Sequence, residues 1–149
     1  METMSNRERQ TQSAALPVLR TDEGQVRVLM ITSRDTGRWV MPKGWPMKNK
    51  SLRGTAEQEA LEEAGILGKI SKEPVGKYRY LKRLDDGTDI PVEVVLYPMK
   101  VSKLLRRWPE RDERKRKWFS LKGAAKRVVE EDLQALLYNL HEHPKKVWF

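Results

Sequence analysis

Met41-Pro42-Lys43-Gly44-Trp45, a polar loop through Lys50, and then Ser51-Leu52-Arg53-Gly54-Thr55-Ala56-Glu57-Gln58-Glu59-Ala60-Leu61-Glu62-Glu63-Ala64-Gly65-Ile66: the rest of the chain is read outward from this run. Its second half is rich in Ala, Leu and Glu, which are good helix formers, and Gly65 is a good helix stop. Asn49 or Ser51 supplies the N-cap. Successive residues of a helix turn by about 100°, so Glu59, Glu62 and Glu63 project within one sector of roughly 100°. Ala60, Leu61 and Ala64 face the other way, toward a core. Carboxylates crowded on one helix face repel each other. One reading is a solvated acidic face. The other is a site for divalent cations, because hard Mg2+ prefers oxygen ligands and removes the repulsion.

The spacing from Gly44 onward resembles the signature of the Nudix hydrolase family, Gly-x5-Glu-x7-Arg-Glu-U-x-Glu-Glu-x-Gly-U, where U is a bulky aliphatic residue. Gly44, Glu59, Glu62, Glu63, Gly65 and Ile66 fall on it without a gap. Lys50 stands in place of the first Glu, Gln58 in place of the Arg, and Ala60 at the first U. The resemblance implies an α/β fold, the Nudix-type α/β/α sandwich with a mixed β-sheet between helices. It implies metal-dependent hydrolysis of a phosphoanhydride bond in a nucleoside-diphosphate-linked or polyphosphorylated substrate. By the same resemblance Glu59 and Glu63 match the principal ligands of Mg2+ or Mn2+, with the Gly44 carbonyl as an extra one. Glu62 matches the carboxylate that accepts the proton of the attacking water, and Glu59 is the alternative.

The approach to this run, Ser33, Arg34, Arg38, Trp39, Val40 and Pro42, is similar to the branch that includes diphosphoinositol polyphosphate and diadenosine polyphosphate hydrolases. A later segment, Arg114, Lys115, Arg116, Trp118 and Phe119, matches a basic and aromatic stretch that contributes to the substrate site in that branch. Arginine forks suit phosphate oxygens. Arg20, Arg34, Arg38, Lys43, Arg114 and Arg116 are therefore the candidate substrate-binding residues, each of which serves equally well as a surface charge. Trp45 either stacks on a base or packs its loop.

The chain has 149 residues, enough for one domain with a real core. The expected organisation is a disordered tail over 1–13, the domain over 14–143 and a C-terminal tail over 144–149. There is no run of about 18 apolar residues to span a membrane. The first fifteen residues lack the apolar core of a secretory signal, and no Cys is present for a disulfide frame or a thiolate zinc site. The expected compartment is the cytoplasm. The formal charge is +9, from 30 basic and 21 acidic residues. That balance suits an anionic partner, a small polyphosphate or RNA.

Strands are expected at 14–20, 25–33, 38–41, 67–70, 75–82 and 90–101, and at Trp118-Phe119. Pro17 argues for an edge or an irregular start to the first of them. Helices are expected at 121–129 and 131–141, with Leu133, Leu136, Leu137 and Leu140 at core spacing. This order suits a mixed sheet covered by helices on both faces. Glu93 lies in an apolar strand and is either a further carboxylate of the site or solvent-facing on an edge. A non-catalytic nucleotide- or RNA-binding module and an RNA 5′-pyrophosphohydrolase are the competing functions.

Overall fold

Strand β1 (Thr11–Arg20) is the axis of the fold, in a computed structural model that describes residues 10–149. Side chains alternate across a strand, and here both faces are apolar. Ala14, Leu16 and Val18 enter one core, and Ala15 enters the other. β2 (Val26–Thr32) and β7 (Asp89–Leu104) divide their residues in the same way.

The sheet runs in the order β3-β2-β1-β7-β5, where β3 is Trp39–Val40 and β5 is Ile66–Ile70. β4 (Lys43–Gly44) pairs with β1, β6 (Gly76–Arg83) with β7, and β8 (Arg116–Ser120) with β2. β1 and β7 are parallel and the other pairs antiparallel, so the sheet is mixed. Helix α1 (Leu52–Ala64) covers one face through Ala56, Ala60 and Ala64. Helices α2 (Leu121–Arg127) and α3 (Glu131–Glu142) cover the other through Ala124, Leu133, Leu137 and Leu140. The result is the expected α/β/α sandwich. No helix among the described residues is long and apolar enough to cross a membrane.

The structure corrects three expectations. First, the expected tail over 1–13 overlaps β1, which begins at Thr11; residues 1–9 lie outside the described residues. Gln12 and Ser13 are buried because each finds a partner: Gln12 accepts from the Tyr80 hydroxyl at 2.6 Å, and Ser13 donates to the Leu52 carbonyl. Polar residues with such partners go inside without penalty. Second, Pro17 is central rather than marginal. On one side β1 is held by β4 at Ser13 and Ala14 and by β2 from Val18 onward. Ala15 N–H, on that same side, donates to the Pro42 carbonyl at 3.0 Å. Pro17, two residues on, falls in the gap between the two partners, where no N–H is needed.

Third, the expected tail over 144–149 is part of the domain. Pro144–Val147 forms a short 3-10 turn, Val147 is buried in the core shared with α2 and α3, and Trp148 packs against it. Val147→Ala should therefore cost about 1.5 kcal/mol at roughly 0.8 kcal/mol per buried methylene-sized group. Thermal unfolding should show a Tm lower by about 3–6 °C. Val129→Ala, at an exposed position, should leave Tm within about 1 °C. Equal effects at the two positions would show that the C-terminal turn is not docked.

Candidate active site

Helix α1 is placed by its two ends. Ser51 caps the start, accepting from the Gly54 N–H at 3.0 Å, while Asn49 sits before it at a φ of 65°. Gly65 ends the helix in the left-handed conformation, at a φ of 65°, with its N–H turned back to the Ala60 and Leu61 carbonyls. Ala56, Ala60 and Ala64 recur every fourth residue and are fully buried, so the helix lies close against the sheet. Leu61, expected in the core beside them, is only half-buried.

The close approach carries Glu59 and Glu63, one turn apart, into a hollow of about 260 Å³. Gly44, Lys43, Lys82, Arg34, Arg114, Tyr80, Trp45 and Gln12 also line it. Gly44 leaves room for the Glu59 carboxyl: a Cβ there would lie 1.5 Å from its Oε2, so any larger residue would displace that side chain. The Lys43 backbone N–H donates to Glu63 Oε1 at 3.2 Å. Arg114 Nη2 lies 3.8 Å from Glu63 Oε2, while its Nε donates to Glu110 Oε1 at 2.9 Å and its Nη1 to the Thr32 carbonyl at 3.1 Å.

Burial dominates the electrostatics. It pushes the Glu59 carboxyl up to about 8, helped by the nearby charges of Glu63, Glu62 and Glu110 and opposed by Arg114. It pushes Glu63 up to about 7 against the opposing pull of Arg114, Lys43 and the Lys43 N–H. Desolvation also lowers Lys43. Two carboxylates that resist ionisation side by side are stabilised as anions by an added cation. Their oxygens are donors of the kind that a hard divalent cation takes. Among the described residues no group of three His, Cys, Asp or Glu side chains is drawn together as a ready-made metal cage.

The expected site residues separate into two groups. Glu59, Glu63, Gly44, Lys43, Arg34 and Arg114 come together. Glu62 does not line the hollow; its Oε2 accepts from the Gln58 amide at 2.7 Å. Arg38 is turned to Glu130, 3.0 Å away, where it neutralises a buried carboxylate. Arg20 stacks on Trp148 at 4.4 Å, at the opposite end of β1 from Gln12. Arg116 donates to the Ala64, Gly65 and Leu105 carbonyls rather than facing the hollow. These three guanidiniums are engaged by structural partners and none of them lines the hollow. Glu93 belongs to a separate surface hollow, between Lys77 at 3.7 Å and Arg79 at 3.6 Å.

Lys82, Tyr80 and Gln12 line the hollow without having been expected there, and Glu110 stands beside it. Lys82 and Tyr80 lie two residues apart on one face of the strand expected at 75–82, and that alternation is the signal that points to them. Glu110 had no signal in the sequence. It stands beside the hollow on the β7–β8 loop, between Arg114 and Arg34, 3.9 Å from the latter.

A mixed sheet between helices, with paired acids of one helix facing a basic hollow, defines the class of protein. The sequence model of the NUDIX domain matches residues 10–139, and the chain belongs to that family. It is 28% identical to "Nudix hydrolase 13, mitochondrial" of Arabidopsis thaliana over 77% of this chain and 59% of the relative. It is 29% identical to "Diphosphoinositol polyphosphate phosphohydrolase 3-beta" of Bos taurus, over 76% of this chain and 66% of that one. The first plant relatives are longer proteins, of which the chain spans 50% to 59%. The fold matches a C. elegans Ap4A hydrolase in a binary complex, with a TM-score of 0.66 and 18% identity over 90% of this chain and 96% of that one.

In the metal-free protein the raised carboxyls set a pH dependence. Both start from an ordinary value of 4.5, and folding raises them to about 8 and about 7. Between those limits the unfolded chain holds fewer protons than the folded one, so stability falls as pH rises. Glu59→Gln removes one of the two groups. In EDTA its Tm should exceed that of the wild type by about 2–4 °C at pH 8 and match it near pH 4.5. A lower Tm at pH 8 would overturn this account of the pocket.

Proposed function

We propose that the chain is a divalent-metal-dependent hydrolase of phosphoanhydride bonds in a small polyphosphorylated substrate, of the diphosphoinositol polyphosphate or dinucleoside polyphosphate type. One observation carries the reading: Glu59 and Glu63 face Lys43, Lys82, Arg34 and Arg114 across one hollow. Acids alone would suit a cation, and bases alone an anion. Both together suit a diphosphate held through a metal. The names of the bovine relative and the C. elegans structure support this substrate class.

Glu59, Glu63 and the Gly44 carbonyl would hold Mg2+ or Mn2+. Bound there, such an ion neutralises the diphosphate and polarises a P–O bond. The residues of the chain supply the remainder. Lys43, Lys82 and Arg34 hold phosphate oxygens and balance charge on the leaving phosphate. Arg34 is exposed and gives up its contact with Glu113, at 3.3 Å, to do so. The proton of the attacking water goes to a carboxylate oxygen of Glu59, which stands in the hollow, in preference to Glu62, which Gln58 holds. Tyr80 and Trp45 offer apolar walls for the part of the substrate that carries no phosphate.

A nucleotide- or RNA-binding module without turnover is the second reading. It is favoured by Lys50 at an acidic position of the signature and by the hydrogen bond that ties Glu62 to Gln58. The +9 charge also permits an RNA 5′-pyrophosphohydrolase. The deciding experiment is phosphate or pyrophosphate release from a panel of diphosphoinositol, dinucleoside and 5′-triphosphate RNA substrates, with Mg2+ and with Mn2+. Glu59→Gln and Glu63→Gln should each lower kcat about 10²- to 10⁴-fold, and Glu62→Gln no more than about tenfold. Full turnover by Glu63→Gln, or a wild type that binds metal and cleaves nothing, would reject the proposal.

A further inference from the structure

A helix ends with carbonyls that have no partner inside it. In α1 these belong to Glu62, Glu63 and Ala64, and the carbonyl of Gly65 follows. The β7–β8 loop together with Arg116, the first residue of β8, takes all four. Leu105 N–H donates to Gly65 O at 2.8 Å, and Glu110 N–H to Glu62 O at 3.0 Å. The Trp108 indole N–H donates to Glu63 O at 3.2 Å. Arg116 Nη1 donates to Ala64 O at 2.9 Å and Gly65 O at 3.2 Å, and its Nη2 to Leu105 O at 2.6 Å. The guanidinium stacks on the Trp108 ring at 3.9 Å. The ring fills the space beside Gly65 so fully that a Cβ there would lie 2.5 Å from it.

The same loop brings Arg114 to the hollow, with Glu110 holding its guanidinium from behind. Among the described residues, the ion pair linking their side chains to α1 is Arg114 to Glu63 at 3.8 Å. The two halves of the site are registered mainly through the backbone, by the contacts just described. We infer that Trp108 and Arg116 are positioning residues: they lock the last turn of α1 to the β7–β8 loop and so fix Glu63, Glu110 and Arg114 relative to one another. The catalytic consequence rests on the hydrolase reading above, while the geometric one does not. A misplacement of about 1 Å at a reacting site costs on the order of 10²-fold in rate.

Two variants separate the contacts. Arg116→Lys keeps the charge and loses the fork and the stack. Trp108→Phe keeps a ring and loses the N–H. Leu133→Val, in the core under the far helices, is the control for stability. In metal-free protein, hydrogen exchange at the Leu105 and Glu110 amides should accelerate about tenfold in both variants and stay unchanged in the control. Calorimetric Mn2+ affinity should fall about tenfold in both. kcat should fall about tenfold, with KM within about twofold. Unchanged exchange overturns the inference whether or not Mn2+ binds. Faster exchange with wild-type Mn2+ affinity and kcat overturns it too, since the contacts would then be structural only. A wild type that fails to bind Mn2+ overturns the hydrolase reading instead, and the exchange rates still decide the geometric claim.

Discussion

Glu63 is buried and Glu59, one turn away, is half-buried beside it, and the rest of the molecule answers to that constraint. Isolated carboxylates in such surroundings are costly to ionise. Holding them there takes a rigid frame. The frame consists of an alanine face pressed on the sheet, a serine cap at one end of α1, a glycine stop at the other, and Gly44 making room for Glu59. Cations come close without neutralising the pair: Arg114 stands 3.8 Å from Glu63 and shares itself with Glu110 and the Thr32 carbonyl. The hollow thus keeps its appetite for further positive charge.

Excess basic charge does not mean that every arginine near the site binds substrate. A guanidinium presents several donors in a plane, which suits backbone carbonyls as well as phosphates. In this fold helix-end carbonyls, a buried acid and an indole ring engage three of the arginines. Arg116 goes to the end of α1, Arg38 to Glu130, and Arg20 to the face of Trp148. The cations left facing the hollow with exposed or half-exposed side chains include Lys82 and Arg34.

Much of this was legible in the residue order. The helix of α1, its glycine stop and the shared face of Glu59 and Glu63 followed from periodicity; a mixed sheet covered by helices followed from the element order, and the sandwich from the resemblance to the Nudix signature. What escaped is explained by partners distant along the chain. Gln12 and Ser13 look like tail residues until Tyr80 and Leu52 are placed against them. Pro17 looks like an edge marker until β4 and β2 are seen to leave it a gap. The placement of Glu110 depends on how the β7–β8 loop closes over α1, which no local pattern encodes. Val147 and Trp148 belong to a stretch too short to show a period.

The parallel partnership of β1 with β7 pairs Thr11 with Glu93 and Val18 with Lys100. The middle of the sheet therefore closes only once residues 93–100 have been made. Until then the apolar β1 has one bare flank, and closing so large a loop is entropically slow. A nascent chain of this design is exposed to wrong pairings during synthesis, and chaperone assistance at that stage has a physical target in the waiting edge of β1.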